Sequence, residues 1–131
     1  MLLIALCTGT FLTSCGKDEF DEGIEMRMRN RDNGNDVLQL LGGRTLSITS
    51  SNNFTVWSGA IADVGSVRHL GKITSVPTSG WAYEVAVRPG HGYVVGSEYS
   101  NEFARIYVKD WIEGTDGGIL GAVIVYQDHW K

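Results

Sequence analysis

The chain has 131 residues, 43% of them hydrophobic and 10% aromatic, which suits one domain with a buried core and argues against a disordered chain. Its 11 Lys and Arg stand against 15 Asp and Glu, a net charge of -4, so the basic footprint that neutralises phosphates is missing and no nucleic acid partner is expected. All of that charge lies after Cys15.

Residues 1–15, "MLLIALCTGTFLTSC", are uncharged, and the apolar run is far shorter than the roughly 20 residues of a transmembrane helix. It reads as a signal peptide over residues 1–14. No Lys or Arg precedes the run, a departure that leaves open a start upstream of Met1. The competing reading, a buried N-terminal helix or strand, suffers from the abrupt change to a charged, poorly periodic segment. Leu12, Thr13, Ser14 and Cys15 resemble a bacterial lipobox, in which small residues admit the signal peptidase and the cysteine thiol receives diacylglycerol. Cys7 lies in the part removed, so Cys15 becomes the one cysteine of the mature chain. That excludes a disulfide framework and a thiolate metal site. Acyl chains, at about 0.8 kcal/mol per buried methylene, would hold Cys15 at a membrane.

Residues 15–22 form the lipidated cysteine and a charged tether, with five charges in the six residues 17–22. Lys17, Asp18 and Glu19 also resemble the export signal of Bacteroidetes surface lipoproteins. That resemblance implies the outer membrane, with the domain facing the extracellular side.

Residues 23–131 are expected to form a β-domain. "IEMRMRN" alternates Ile24, Met26 and Met28 against Glu25, Arg27 and Arg29, a half-buried strand. Asn33 and Gly34 suit a type I′ turn and predict a hairpin with a strand over 37–41. Further strands are expected at 45–49, 54–58, 66–70, 81–87 and 93–97. Asp116 and Gly117 separate two β-prone runs, so 103–113 and 119–127 should form a long hairpin. No window shows a helical stripe. With 17 glycines and turn signals every 8 to 12 residues, the expected fold is all-β, a small antiparallel sandwich or barrel.

Strict alternation along "FARIYVKDWIEG" would put Phe103, Arg105, Tyr107, Lys109 and Trp111 on one face and Ala104, Ile106, Val108 and Ile112 on the other. Asp110 interrupts the aliphatic side. If the aliphatic side is the core, Phe103, Arg105, Tyr107 and Trp111 form an exposed ladder of rings and cations suited to a sugar face or a protein partner. The alternative is a second buried face, with the cations snorkelling past the rings. The strand at 119–127 is apolar on both sides and favours that alternative in part.

Two stretches, "GSVRHLGKITSVPTSGWAYEVAVRPGHGYVV" and "FARIYVKDWIEGTDGGILGAVIVYQ", resemble a group of small Bacteroidetes lipoproteins built on a domain of unknown function. The likeness runs through Pro77, Gly80, Trp81, Pro89, Gly90, Gly92, Tyr93, Arg105 to Val108, Gly117, Gly118, Gly121 and Ala122. The chain departs from such relatives at its end, where "YQDHWK" replaces an aromatic YQYPF-like tail. The resemblance implies address and fold, and no activity.

The three histidines, His69, His91 and His129, stand apart, with no zinc-type spacing, so no metal site and no cofactor are expected. No G-x-S-x-G occurs. Asp110, Glu113 and Asp116 gather at one hairpin end while Glu84 and Glu98 are single, which does not make a glycosidase pair. The chain is therefore read as a non-enzymatic binding module for glycan or a partner protein, or else as a structural, envelope-assembly lipoprotein without a small ligand. Its membrane contact is the lipid at Cys15.

Overall fold

The computed structural model describes residues 23–96 and 101–131. The expected signal peptide (1–14), Cys15, the tether with Lys17, Asp18 and Glu19, the last residue of the 93–97 strand and Glu98 lie outside the described residues.

The described residues form two antiparallel sheets packed face to face, with no α-helix. In chain order the strands are β1 (Ile24–Arg29), β2 (Val37–Gln39), β3 (Thr45–Ile48), β4 (Asn53–Trp57), β5 (Ala60–Ser66), β6 (Trp81–Ala82), β7 (Glu84–Ala86), β8 (His91–Gly96), β9 (Ala104–Glu113) and β10 (Ile119–Gln127). The larger sheet runs β1-β10-β9-β8-β5-β6 and the smaller β2-β3-β4-β7. The expected all-β fold is thus a sandwich.

Period-two patterning builds the smaller sheet. Leu46, Ile48, Phe54 and Val56 point inward from β3 and β4, while Thr45, Ser47 and Thr55 alternate with them on the wetter side. From the larger sheet Met28, Tyr93, Val95, Ile106, Val108, Ala122 and Ile124 complete the core. Each large aliphatic side chain buried there stabilises by about 1.5–3 kcal/mol. Phe54 meets Tyr93 edge-on across the sheets, with centroids 5.0 Å apart at 81°. The Tyr93 hydroxyl donates to the Ala86 carbonyl at 2.8 Å and accepts from the Arg88 N–H at 2.9 Å, so a buried ring also pins the loop after β7.

The long hairpin is present: β9 pairs β10 from Arg105↔Gln127 to Glu113↔Ile119. Its turn is closed by Gly114 N–H to the Gly118 carbonyl, with the Asp116 carboxylate accepting from Gly118 N–H. On the other side of β10, Gly121 lets β1 come close. A Cβ at Gly121 would collide with the Met28 carbonyl and stand 2.7 Å from Arg29 Cα.

Three expectations need correction. The Asn33–Gly34 hairpin does not form: β1 and β2 lie in different sheets. Residues between them make a 3-10 turn at Arg31–Asn33, and buried Asn30 donates to Asn52 Oδ1 at 2.8 Å and accepts from Asn33 at 2.7 Å. This amide network gives the chain a way across the end of the sandwich, and the apolar β10 offers β1 a longer partner than the three residues of β2. The expected strand at 66–70 is displaced. The strand is Ala60–Ser66, whose alternation is hidden by Asp63 and by a register shift between Asp63 and Gly65. The expected strand at 81–87 is split at Tyr83, because Trp81–Ala82 pairs with β5 in one sheet and Glu84–Ala86 with β4 in the other.

Candidate functional site

The outer face of the larger sheet is not bare. After β5 the chain folds back over it, and Leu70 and Ile73 form a second small core with Val94, against which Phe103, Tyr107, Trp81, Val125 and Trp130 pack. Gly92 is what lets that cover lie flat, since a Cβ there would stand 2.7 Å from Ile73 Cδ1.

Arg105 lies beneath this cover and is 3% exposed. Its Nη1 donates to the Ile73 carbonyl at 3.0 Å and the Leu70 carbonyl at 3.4 Å, and its Nε to Gln127 Oε1 at 2.8 Å. The Trp130 ring closes over the guanidinium at 5.2 Å. Phe103 sits 6.2 Å from Trp81, ring to ring. Arg105 and Phe103 therefore hold the cover in place and do not present themselves to a ligand.

The expected ladder breaks at its last member. Register shifts between Val108 and Asp110, leaving Lys109 as an extra residue in β9. Beyond that bulge the parity reverses: Trp111 stands opposite Ala122 and packs against the main core, whereas Asp110 stands opposite Val123 and is exposed. Phe103, Arg105 and Tyr107 share the outer face as expected. Trp111 does not, and this corrects the reading of one continuous ridge.

What remains accessible is a cleft of about 540 Å³ at the margin of the cover. Tyr107 and Lys109 of β9, Val125 of β10, Glu25 and Gly23 at the chain's entry into β1, and Arg68 to Leu70 from the cover line it. Lys109 Nζ bonds Glu25 Oε1 at 2.8 Å, both side chains being about half exposed, and the carboxylate raises the Lys109 ammonium above its ordinary value. Such a pair in water contributes little to stability and can rearrange toward a ligand. The cleft thus offers a half-buried tyrosine ring, two cations and one carboxylate. Arg68, His69 and Glu25 are far from Tyr107 in sequence; the fold-back brings the first two and the pairing of β1 with β10 brings Glu25, and no local motif marks them.

The other histidine of interest, His91, is half-buried on β8, with Nδ1 3.0 Å from Asp63 Oδ1. No serine or threonine hydroxyl bonds the ring among the described residues, and the cover and cleft lie on the other face. Among the described residues no group of three or more His, Cys, Asp or Glu is placed to hold a metal ion.

Comparison with curated proteins and with solved structures finds no match. Residues 25–130, from the start of β1 to the tryptophan that closes over Arg105, match the family model of the domain of unknown function DUF5036, so the chain belongs to that family.

Proposed function

We propose that this chain is a lipid-anchored outer-membrane protein, displayed outward, whose β-domain binds glycan without catalysing a reaction. The address rests on Leu12 to Cys15 and on Lys17, Asp18 and Glu19. The cleft beside Tyr107 carries the binding reading. Its volume falls in the range of about 300–1,000 Å³ common to small-ligand sites, and a tyrosine ring among hydrogen-bonding charges suits the apolar face and hydroxyl rim of a sugar.

The test is a glycan array probed with the soluble domain from Gly23 onward, beside Tyr107→Ala and Lys109→Ala. Binding to a defined glycan that both substitutions weaken supports the reading. Equal binding by all three proteins removes the cleft as the site. No glycan binding, with specific capture of another envelope protein, favours the structural alternative.

A further inference from the structure

The cleft beside Tyr107 has an ordered floor. Glu25, Val125, Tyr107 and Gly92 stand opposite one another across β1, β10, β9 and β8, so they make one row on the outer face of the larger sheet. Ile73 covers the Gly92 end of this row, and at the Glu25 end β1 is the last strand of the sheet, so the row opens to solvent there. Between the two ends the Tyr107 ring and Val125 form an apolar floor.

The charges around that floor are unevenly matched. Glu25 carries the one carboxylate that lines the cleft, and it already holds Lys109 Nζ at 2.8 Å. Arg68 is exposed and takes part in no ion pair among the described residues. A chain of net charge -4 thus gathers two cations against one carboxylate at its apolar-floored cleft. A neutral ligand would leave Arg68 with water alone, whereas an anionic group gives it a charge-assisted, two-pronged partner. The Lys109–Glu25 pair is exposed, so Lys109 can turn to a ligand with little loss of stability.

We infer, resting on the reading of this cleft as a glycan site, that its ligand is an acidic glycan: a sugar ring packs on Tyr107 and its anionic substituents, carboxylate or sulfate, are held by Arg68 and Lys109. Glu25 then opposes binding, because it competes for Lys109 and repels the anion. For a neutral sugar the role of Glu25 is the reverse, since its carboxylate would accept from the hydroxyls.

The experiment is calorimetric titration of the protein from Gly16 onward, which keeps the charged segment before Gly23, with trigalacturonate, its methyl ester, a sulfated galactose disaccharide and the desulfated disaccharide. An acid that binds at least about tenfold more tightly than its uncharged counterpart, is weakened about tenfold by Arg68→Ala and by Lys109→Ala, and is tightened by Glu25→Gln supports the inference, and the preferred acid tells carboxylate from sulfate. All three side chains are at least half exposed or on the surface, so unchanged melting temperatures should accompany these shifts. Equal binding of the charged and uncharged forms overturns the inference and leaves the glycan reading of the cleft standing. No binding of any of the four sugars overturns both. A preference for the acid that survives Arg68→Ala and Lys109→Ala, or a loss of acid binding in Glu25→Gln, overturns the inference. So does acid binding seen only when residues 16–22 are removed, which shows that the chain's own acidic segment opposes the ligand.

Discussion

The Trp130 ring lies 5.2 Å from the Arg105 guanidinium and joins the last residues of the chain to the middle of the larger sheet. The backbone reinforces the contact, with Trp130 N–H donating to the Phe103 carbonyl at 2.8 Å and Phe103 N–H to the Lys131 carbonyl at 2.8 Å. Arg105→Ala would take its donor from the Ile73 carbonyl, while the Leu70 carbonyl keeps the Ile73 N–H at 3.0 Å, and would empty the space beneath the cover; it is expected to cost about 2–4 kcal/mol. Arg105→Lys should recover little of that, having no planar fork. Trp130→Ala should cost less, about 1–2 kcal/mol, the size of a partly desolvated cation–π contact. Urea melts of the three variants give the order.

The bulge at Lys109 makes Trp111 a core residue. Trp111→Ala should cost roughly 2–3 kcal/mol, below the 3–5 of a fully buried aromatic because the ring is half-exposed. Deleting Lys109 would set Asp110 directly after Val108, regularise the ladder against Ile124, Val123 and Ala122, and keep Trp111 facing the core. The deletion should therefore destabilise less than Trp111→Ala, and Lys109→Ala should stay within about 0.5 kcal/mol in the same melts.

Gly121 sits where β1 presses on β10. A methyl group there collides with the backbone at Met28 and Arg29, which belongs to a paired strand and cannot step aside cheaply. Gly121→Ala is expected to cost about 3 kcal/mol or to detach β1. Faster amide exchange confined to β1 and β10 would report the detachment.

Burial pushes the Tyr93 hydroxyl far above its ordinary value of 10.0. In the unfolded chain it ionises near pH 10, so its contribution is complete below that pH and is lost as pH rises toward the folded value. Stability of the parent should thus decline steeply above pH 10. Tyr93→Phe should be less stable by about 1–2 kcal/mol at pH 7, since Ala86 and Arg88 lose a partner, yet show a shallower alkaline decline. Chemical denaturation at pH 7, 9, 10 and 11 measures both.

Cys15→Ala should abolish lipid attachment and release the protein into the soluble fraction. Labelled palmitate taken up equally by parent and variant would rule out lipidation there. Replacing Lys17, Asp18 and Glu19 by Ala should keep the lipid and lose surface accessibility, read as protection from protease added to intact cells.

The sequence by itself determined what depends on neighbours along the chain. Alternation in 45–48 and 53–57 fixed which side chains face the core, and Asp116–Gly117 between two β-prone runs fixed the long hairpin, because strand and turn preferences are set by adjacent dihedrals. Only the tertiary structure decided which strands pair. Asn33–Gly34 has the local chemistry of a hairpin, yet β1 goes to β10, whose apolar length outweighs a local turn, while the Asn30 amide network carries the chain to the other sheet. The extra residue at Lys109 is equally invisible locally. A bulge costs one ladder position and is settled by which side chain, Asp110 or Trp111, the core accepts, and the core prefers the indole. The cleft beside Tyr107 arises from packing of segments distant in sequence, so it leaves no motif to read.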